Sequence, residues 1–310
     1  MLKRFLSLGK VQVGLVILGV FVLVAIIGEP FSTLVLHLGP YDYDHSALGQ
    51  PPSARHLLGT TSTGQDVLVW LLYGTRNSIL VGLGSAVVGI ACTVLVGLTG
   101  GFIGGWTDRV LNAVTLIFQN VPSFAVLFIV AGFLGNANWI MVSLIIGFFE
   151  WPGGARAVRA QAMSLRGRDF ATALRTVGES RWRIVLSEVL PHLSGVVSPM
   201  FLRLIAAGIG QQAAIAFLGI GSATDPSWGL MISYATNQNA LFNGLWWWFV
   251  PPGLCLALIG LSTTMLNFGL DEVSNPTLST KRMRLMNAFL KSQARVRASQ
   301  KTSARGEVAA

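Results

Sequence analysis

Six long apolar blocks, separated by polar segments, limit this chain to a bundle of helices in a lipid bilayer. The blocks cover residues 11–27, 78–104, 110–134, 138–151, 194–220 and 245–270. About 20 apolar residues in an α-helix cross the hydrocarbon core, where every backbone polar group must find its hydrogen bond within the protein. A content of 52% hydrophobic and 11% charged residues agrees with this environment. We therefore expect an all-α polytopic membrane protein with six transmembrane helices.

The polar segments divide the chain further. We expect an N-terminal tail with the first transmembrane helix over 1–28, an extracytoplasmic segment over 29–77, a membrane core over 78–276 with a polar loop at 153–192, and a basic tail over 277–310. The first helix resembles a signal peptide but lacks a small-residue cleavage site, which predicts that it is retained. A short helix over 66–73 is expected at the interface, with Trp70 and Tyr73 at headgroup depth. Contact with anionic lipid is the default role of the tail, and regulation is the alternative.

Basic residues predict the orientation of the six helices. Of the 22 Lys and Arg residues, only Arg55 and Arg76 fall on the side opposite the termini, and Arg203 falls inside a block. The remaining basic residues share one side, which the positive-inside rule places in the cytoplasm. Both termini and the loop 153–192 are therefore expected to be cytoplasmic. The same rule explains the net charge of +9 better than nucleic-acid binding does.

The loop 153–192 carries seven arginines and two short helical patterns. Phe170, Ala173, Leu174 and Val177 recur at helical spacing, and Gly178 is expected to end that helix. A second helix is expected over 182–189, with its end at Pro191. The loop is either a basic cytoplasmic loop without a partner, or a docking element that offers an apolar ridge and guanidinium groups to a soluble protein.

The second interpretation is supported by a resemblance. The loop is similar to the coupling loop of permease subunits of binding-protein-dependent ATP-binding-cassette importers, with Thr172 and Leu174 replacing the usual acid and second alanine. In that family the loop sits in a cleft of the ATPase subunit. The resemblance assigns ATPase coupling to Asp169, Phe170, Thr172, Ala173, Leu174, Arg175, Gly178, Leu190 and Pro191.

Two further stretches resemble the dipeptide and oligopeptide branch of that family. The first runs from Leu58 to Ser78, with Thr61 and Gln65 where relatives usually have an acid and an arginine; the second is the Phe217–Gly221 run followed by 226–231. Together the motifs cover about residues 57–276. They imply a type I importer fold, a homologous permease partner, one or two ATPase subunits that bind ATP and Mg²⁺, and an extracytoplasmic binding protein. Cargo stays open among peptides, nickel chelates, opines, glutathione and haem.

Catalytic and metal-binding patterns are missing from the sequence. No phosphate-binding loop of the Gly-x-x-x-x-Gly-Lys type occurs, so the chain is not expected to hydrolyse ATP or to need a cofactor of its own. His37, His45, His56 and His192 are scattered and are expected to be solvated loop residues rather than metal ligands. The sequence therefore predicts a non-catalytic subunit.

Polar residues inside the blocks are candidates for a translocation path, because a charged or polar group in hydrocarbon is unfavourable. Gln119, Asn120, Gln211 and Gln212 are the candidates, with hydrogen bonding between helices as the alternative role. Glu150 and Arg203 are expected at a similar depth and are predicted to form a structural ion pair. The two competing functions are an ion-coupled secondary transporter, for which Glu150 is the only acid within a block, and a membrane scaffold protein.

Overall fold

The computed structural model describes residues 5–134, 138–220 and 225–274, and these form a bundle of helices. The helices are α1 (Gly9–Phe31), α2 (Val67–Ile103), α3 (Gly105–Asn120), α4 (Ser123–Leu134), α5 (Trp139–Arg166), α6 (Asp169–Thr176), α7 (Arg181–Arg183), α8 (Leu190–His192), α9 (Ser194–Phe217), α10 (Trp228–Asn237) and α11 (Trp246–Ser274), with π-helical turns at Ser32–Leu36 (π1) and Ile184–Val189 (π2). Within the described residues, strand-like pairing is limited to an isolated bridge between Thr60 and Asp66. The all-α fold is confirmed, whereas the basic tail over 277–310 lies outside the described residues.

Length and hydropathy qualify four helical segments as membrane spans, or five if α3 and α4 form one bent span. The four are Gly9–Leu36, Val67–Ile103, Ser194–Phe217 and Trp246–Val273. Helix α5 does not qualify, because its apolar run ends at Glu150 and arginines follow. The number of six spans therefore stays a prediction.

The expected third span, 110–134, is broken in the structure. Helix α3 ends at Asn120, and α4 leaves it at an angle of 77°. Val121 is extended, with φ −74° and ψ 127°, because the ring of Pro122 disfavours a helical conformation in the preceding residue. This bend turns Gln119 and Asn120 into the end of a helix rather than the middle of a span.

The separate interfacial helix expected over 66–73 is not found. These residues form the first turns of the 37-residue helix α2. Trp70 is 2% exposed, and its ring packs on that of Tyr234 of α10. No proline interrupts the segment, so the helix continues directly into the apolar block. The boundary expected near residue 77 is thus inside a helix, and Trp70 is a core residue instead of a headgroup anchor.

The parallel helices α2 and α5 pack closely against each other through small residues. A Cβ atom placed on Gly97 would lie 2.6 Å from the carbonyl oxygen of Ala155, and one on Gly101 would lie 2.5 Å from that of Arg159. Gly147 of α5 approaches the Ser85 carbonyl in the same way, at 2.6 Å. Close backbone approach through small residues is typical of helix packing in membranes. The two helices therefore behave as one rigid unit along most of their length.

The segment that precedes α2 folds over one end of the bundle. The indole Nε1 of Trp247 donates to the Thr60 carbonyl at 3.0 Å, which fixes the segment to α11. Asp66 caps α2 by accepting from the Val69 amide at 3.1 Å, and its other oxygen lies 2.8 Å from Nδ1 of His56. The expectation of a solvated His56 is wrong, since its side chain is 6% exposed. Backbone geometry places this histidine in the core of the segment, which the sequence does not reveal.

Candidate functional site

Helix α6 is the first of the two short helices expected within the loop 153–192. It spans Asp169–Thr176, and Gly178 follows with φ 86°, a conformation that a residue with a Cβ adopts only with strain. The Gly178 amide donates to the Arg175 carbonyl and the Glu179 amide to the Leu174 carbonyl, both at 3.1 Å. These two bonds form a Schellman motif, which satisfies the last carbonyls of the helix. The predicted helix and its glycine break are confirmed.

The apolar face of α6 is divided between the protein and solvent. Ala171 is fully buried, and Phe170 and Leu174 pack beside it. Ala173 is exposed, and Val177 is 81% exposed. The expectation that these four spaced residues form one outward ridge is wrong, because Phe170 and Leu174 face the core of the protein itself.

The second half of the loop differs from the expected short helix. Residues 181–192 form α7, π2 and α8 as a nearly continuous helical stretch, and Pro191 lies within α8 instead of ending the helix. Proline is tolerated in the first turn of a helix, where its missing amide donor is not required. Only a single turn residue, Leu193, separates α8 from α9. The loop is therefore connected to the fifth apolar block almost without a flexible link.

A buried cluster fixes the second part of the loop, residues 181–192 with the adjoining Leu193, to the ends of α2 and α5. On the loop side, Ile184, Val185, Val189 and Leu193 are each at most 1% exposed. They pack against the buried side chains of Leu98, Phe102, Val158, Ala162 and Leu165. Burial of aliphatic side chains contributes about 1.5–3 kcal/mol each, so the cluster holds the loop as a rigid body.

Ring contacts add to this attachment. Phe170 stacks on His192 with ring centroids 5.6 Å apart, which ties α6 to α8. The Arg175 guanidinium lies 5.0 Å from the centre of the Phe102 ring, and its Nη2 donates to the Arg166 carbonyl at 3.4 Å. Thr172 remains exposed and donates only to the Arg168 carbonyl of its own helix, at 3.4 Å. Position 172, where the resemblance implies an acid, thus carries an exposed neutral side chain.

An ion pair that the sequence reasoning missed orients α3. Arg159 of α5 makes a bidentate contact with Asp108, with nitrogen–oxygen distances of 2.5 and 2.8 Å. Such planar pairing is among the stronger side-chain contacts. The only sequence signal was the acid in the first turn of α3, since its arginine partner is 51 residues away.

The four polar candidates for a translocation path have separate environments. Gln119 accepts from Nη1 of Arg156 at 2.9 Å, whereas Asn120 donates to the Leu116 carbonyl of its own helix at 2.7 Å. Gln211 donates through Nε2 to Oε1 of Glu150. The structure thus joins Gln119 and Gln211 to charged residues of α5, while Asn120 makes only a local bond.

Gln212 faces a cavity of about 160 Å³ instead. The cavity lies between α2, α4, α9 and α10, at the end of the bundle opposite the loop, and Ser78 donates to Gln212 Oε1 at 3.5 Å. Its other polar lining residues are Asn77, Asp225, Ser227, Ser233, Tyr234 and Asn237. Sequence reasoning missed most of this lining because α10, which contributes three of these residues, had not been expected as a helix.

The predicted ion pair between Glu150 and Arg203 is not formed. Glu150 bonds to Gln211, and within the described part of the chain Arg203 is exposed and takes part in no ion pair. The Nη2 atom of Arg203 lies 3.6 Å from the position that a Cβ of Gly153 would occupy, one turn along α5 from Glu150. The two side chains lie at a similar depth, but the Glu150 carboxylate accepts a hydrogen bond from Gln211 instead of pairing with Arg203.

Comparisons with known proteins agree with these features. The family model described as "Binding-protein-dependent transport system inner membrane component" matches residues 68–275. The oligopeptide transport system permease protein OppC of Mycobacterium tuberculosis (strain ATCC 25618 / H37Rv) is 35% identical over 242 residues, which cover 76% of this chain and 82% of that protein. The dipeptide transport system permease protein DppC of Bacillus subtilis (strain 168) is 28% identical, with coverages of 80% and 79%.

A third relative, the glutathione transport system permease protein GsiD of Pectobacterium atrosepticum, is 28% identical over 267 residues, with coverages of 84% and 86%. The family match covers most of α2 and all of α3 to α11, including the loop 153–192 and the polar residues of α5 and α9. On these grounds, the chain is a multi-pass membrane protein that belongs to the family of binding-protein-dependent transport system inner membrane components.

Proposed function

We propose that this chain is a permease subunit of an ATP-driven importer of peptides in the bacterial plasma membrane. It would form the translocation path with a homologous permease subunit, receive cargo from an extracytoplasmic binding protein, and be driven by one or two ATPase subunits. The names of the relatives support the cargo class, since they include oligopeptide and dipeptide transport permeases. ATP and Mg²⁺ would be bound by the ATPase subunits, and this chain would act without catalysis or a cofactor.

The attachment of the loop 153–192 is the observation that carries this proposal. The loop packs through Ile184, Val185 and Val189 onto the ends of α2 and α5, and α8 is separated from α9 by Leu193 alone. A displacement of the loop would therefore be transmitted to three long helices. Nucleotide-driven movement of an ATPase subunit would in this way bias inward and outward openings.

The outer surface of the loop has a composition suited to a protein partner. Val177, Trp182 and Leu186 are 81%, 54% and 59% exposed, and Arg175 and Arg183 flank them. Interfaces are enriched in tryptophan and arginine, and an apolar centre with charged rims is their usual arrangement. We call Val177, Trp182 and Leu186 the coupling ridge, and propose that it enters the ATPase subunit.

The test is purification of the intact complex in mild detergent, followed by mass spectrometry of the copurified subunits. Val177→Glu places a charge at the coupling ridge without disturbing the core. The matched control is Leu48→Glu, at another exposed apolar position, on the segment before α2, where Leu48 is 56% exposed. We expect the ATPase subunits to be lost from Val177→Glu and retained in wild type and Leu48→Glu.

Uptake by the reconstituted wild-type complex then tests cargo and energy source together. ATP-dependent accumulation of a labelled peptide, with the binding protein present, is the expected result. Copurification of the chain without any ATPase, together with uptake driven by an ion gradient, would refute the importer and favour the secondary transporter.

A further inference from the structure

Two charged side chains, Glu150 of α5 and Arg203 of α9, lie within apolar blocks, and Arg156 follows on α5 in the loop 153–192. Glu150 is half-buried, whereas Arg156 and Arg203 are exposed. A charged side chain at the centre of a bilayer is unfavourable by about 2.5–3.5 kcal/mol on insertion scales, so exposure of these groups to lipid is disfavoured. This surface, which we call the charged face, must therefore meet water or another polar molecule in the assembled transporter.

The charges on this face are ordered along the helix axis. Glu150 and Arg156 are six residues apart on α5, a rise of about 9 Å at 1.5 Å per residue. Arg203 reaches α5 between them, because its Nη2 lies 3.6 Å from the Cβ position of Gly153. The acid thus lies toward the end that bears the segment before α2, and both bases lie toward the loop 153–192.

Neighbouring side chains hold these groups without neutralising them. Gln211 donates to Glu150 and leaves its own Oε1 buried and without a hydrogen-bond partner among the described residues. Gln119 orients Arg156 through a neutral amide oxygen. A carboxylate acceptor therefore stands at one end of the face, and a pair of cationic donors stands at the other.

The face also leaves room for a ligand. Gly153 and Gly210 are exposed, and a Cβ at Gly210 would meet no atom within 4 Å. An extended chain spans about 3.3–3.6 Å per residue, so a dipeptide or tripeptide covers about 7–10 Å between its termini. This length is close to the rise between Glu150 and Arg156.

We propose that the charged face is a binding site for the two charged termini of a short peptide, an inference that rests on the function proposed above. The Glu150 carboxylate accepts from the terminal ammonium group. Arg203 and Arg156 donate to the terminal carboxylate, a pairing that guanidinium geometry favours. The peptide is thereby oriented with its carboxylate toward the loop 153–192.

Photolabelling of the complete transporter, without its binding protein, tests this site directly. The probe is a tripeptide with free termini and p-benzoylphenylalanine at its centre, added to complexes arrested with vanadate. Competitors are an unlabelled tripeptide, its C-terminal amide and its N-acetyl derivative. In wild type, we expect each blocked competitor to be weaker than the free peptide by about tenfold or more, since each loses a charge-assisted hydrogen bond.

Variants assign each end of the peptide to its partner. In Arg203→Gln the free peptide and the C-terminal amide should compete about equally, while the N-acetyl derivative stays weaker. In Glu150→Gln the free peptide and the N-acetyl derivative should compete about equally, while the amide stays weaker. Arg203→Lys should restore part of the preference for the free carboxylate. Arg109→Gln is the matched control, because Arg109 is an exposed arginine near the start of α3, ten residues before Gln119.

Subunit composition and basal ATPase rate of each variant show whether the complex is intact. Two results would overturn the site: unchanged competitor ratios in an intact Arg203→Gln complex, or wild-type labelling that free peptide does not reduce. If uptake persists in either case, the importer function still stands. Loss of the second permease from Arg203→Gln would overturn the site too, by assigning Arg203 to subunit contact. Absence of any peptide uptake by wild type would refute the proposed function itself.

Discussion

Ile184→Ala should release the loop 153–192 from the bundle while leaving the membrane helices folded. Ile184 is 1% exposed in the cluster that joins the loop to α2 and α5. Truncation of a buried isoleucine to alanine destabilises by about 2–5 kcal/mol, through lost burial and the cavity that remains. The loop holds no other large buried cluster within the described residues, so this loss falls on its local opening.

Trypsin provides the assay, because the loop carries exposed arginines and the variant should open it more often. When opening is fast compared with cleavage, the rate follows the open population, which rises about tenfold for each 1.4 kcal/mol. Cleavage within the loop of the detergent-solubilised chain should therefore accelerate by at least about tenfold. The matched control is Leu186→Ala on the same π-helical turn, since Leu186 is 59% exposed.

Equal cleavage rates in the two variants would refute the argument that Ile184 anchors the loop. Faster cleavage at every site along the chain would refute it in another way, because the loop would not be a separate unit of stability. In the complete transporter, Ile184→Ala should retain ATP hydrolysis but lose most of its peptide uptake, since a mobile loop cannot transmit displacement.

Three further predictions concern the bundle. Gly97→Ala should lower the thermal unfolding temperature in detergent, because its Cβ would lie 2.6 Å from the Ala155 carbonyl oxygen. Gly260→Ala, with open space around it, should leave that temperature unchanged. Equal unfolding temperatures for the two variants would contradict the close contact of α2 and α5. Asp66→Ala should destabilise by about 1–3 kcal/mol, measured by the same melting assay, because it removes the cap of α2 and leaves Nδ1 of His56 buried without its partner. In intact cells, an impermeant maleimide should label Tyr43→Cys but not Thr172→Cys, both exposed positions; labelling of the reverse set would refute cytoplasmic termini.

Sequence reasoning predicted the helices more reliably than their boundaries. It ended the fourth apolar block at residue 151, whereas α5 continues to Arg166, and it divided α2 at the edge of its apolar block. Both helices extend beyond the apolar residues because packing between α2 and α5 stabilises turns that hydropathy alone would assign to loops. Helix α10 was missed since it is short and begins within the 226–231 motif, which gives no helical pattern of its own.

The candidate site was predicted only in part, because local backbone preferences can be read from the sequence and long-range contacts cannot. The motif placed the loop helix and its Gly178 break correctly, because both depend on local backbone preferences. It did not predict that Phe170 and Leu174 face inward, since that depends on Leu98 and Phe102, about 70 residues earlier in the chain. The partner of Glu150 was likewise wrong, because Gln211 reaches it from a helix whose rotation no pattern in α9 specifies.

The sequence by itself therefore determined the helical class, the order of the apolar blocks and the family, which depend on composition, periodicity and short motifs. Tertiary structure alone decided which face of each helix turns inward and which polar groups meet. The physical reason is that helix formation depends on neighbours within a few residues, whereas orientation depends on contacts between residues far apart in the chain. The sequence singles out Glu150 and Arg203 as charges inside apolar blocks, but only the packing of α5 against α9 decides that Arg203 lies beside Gly153 and that Gln211 bonds to Glu150.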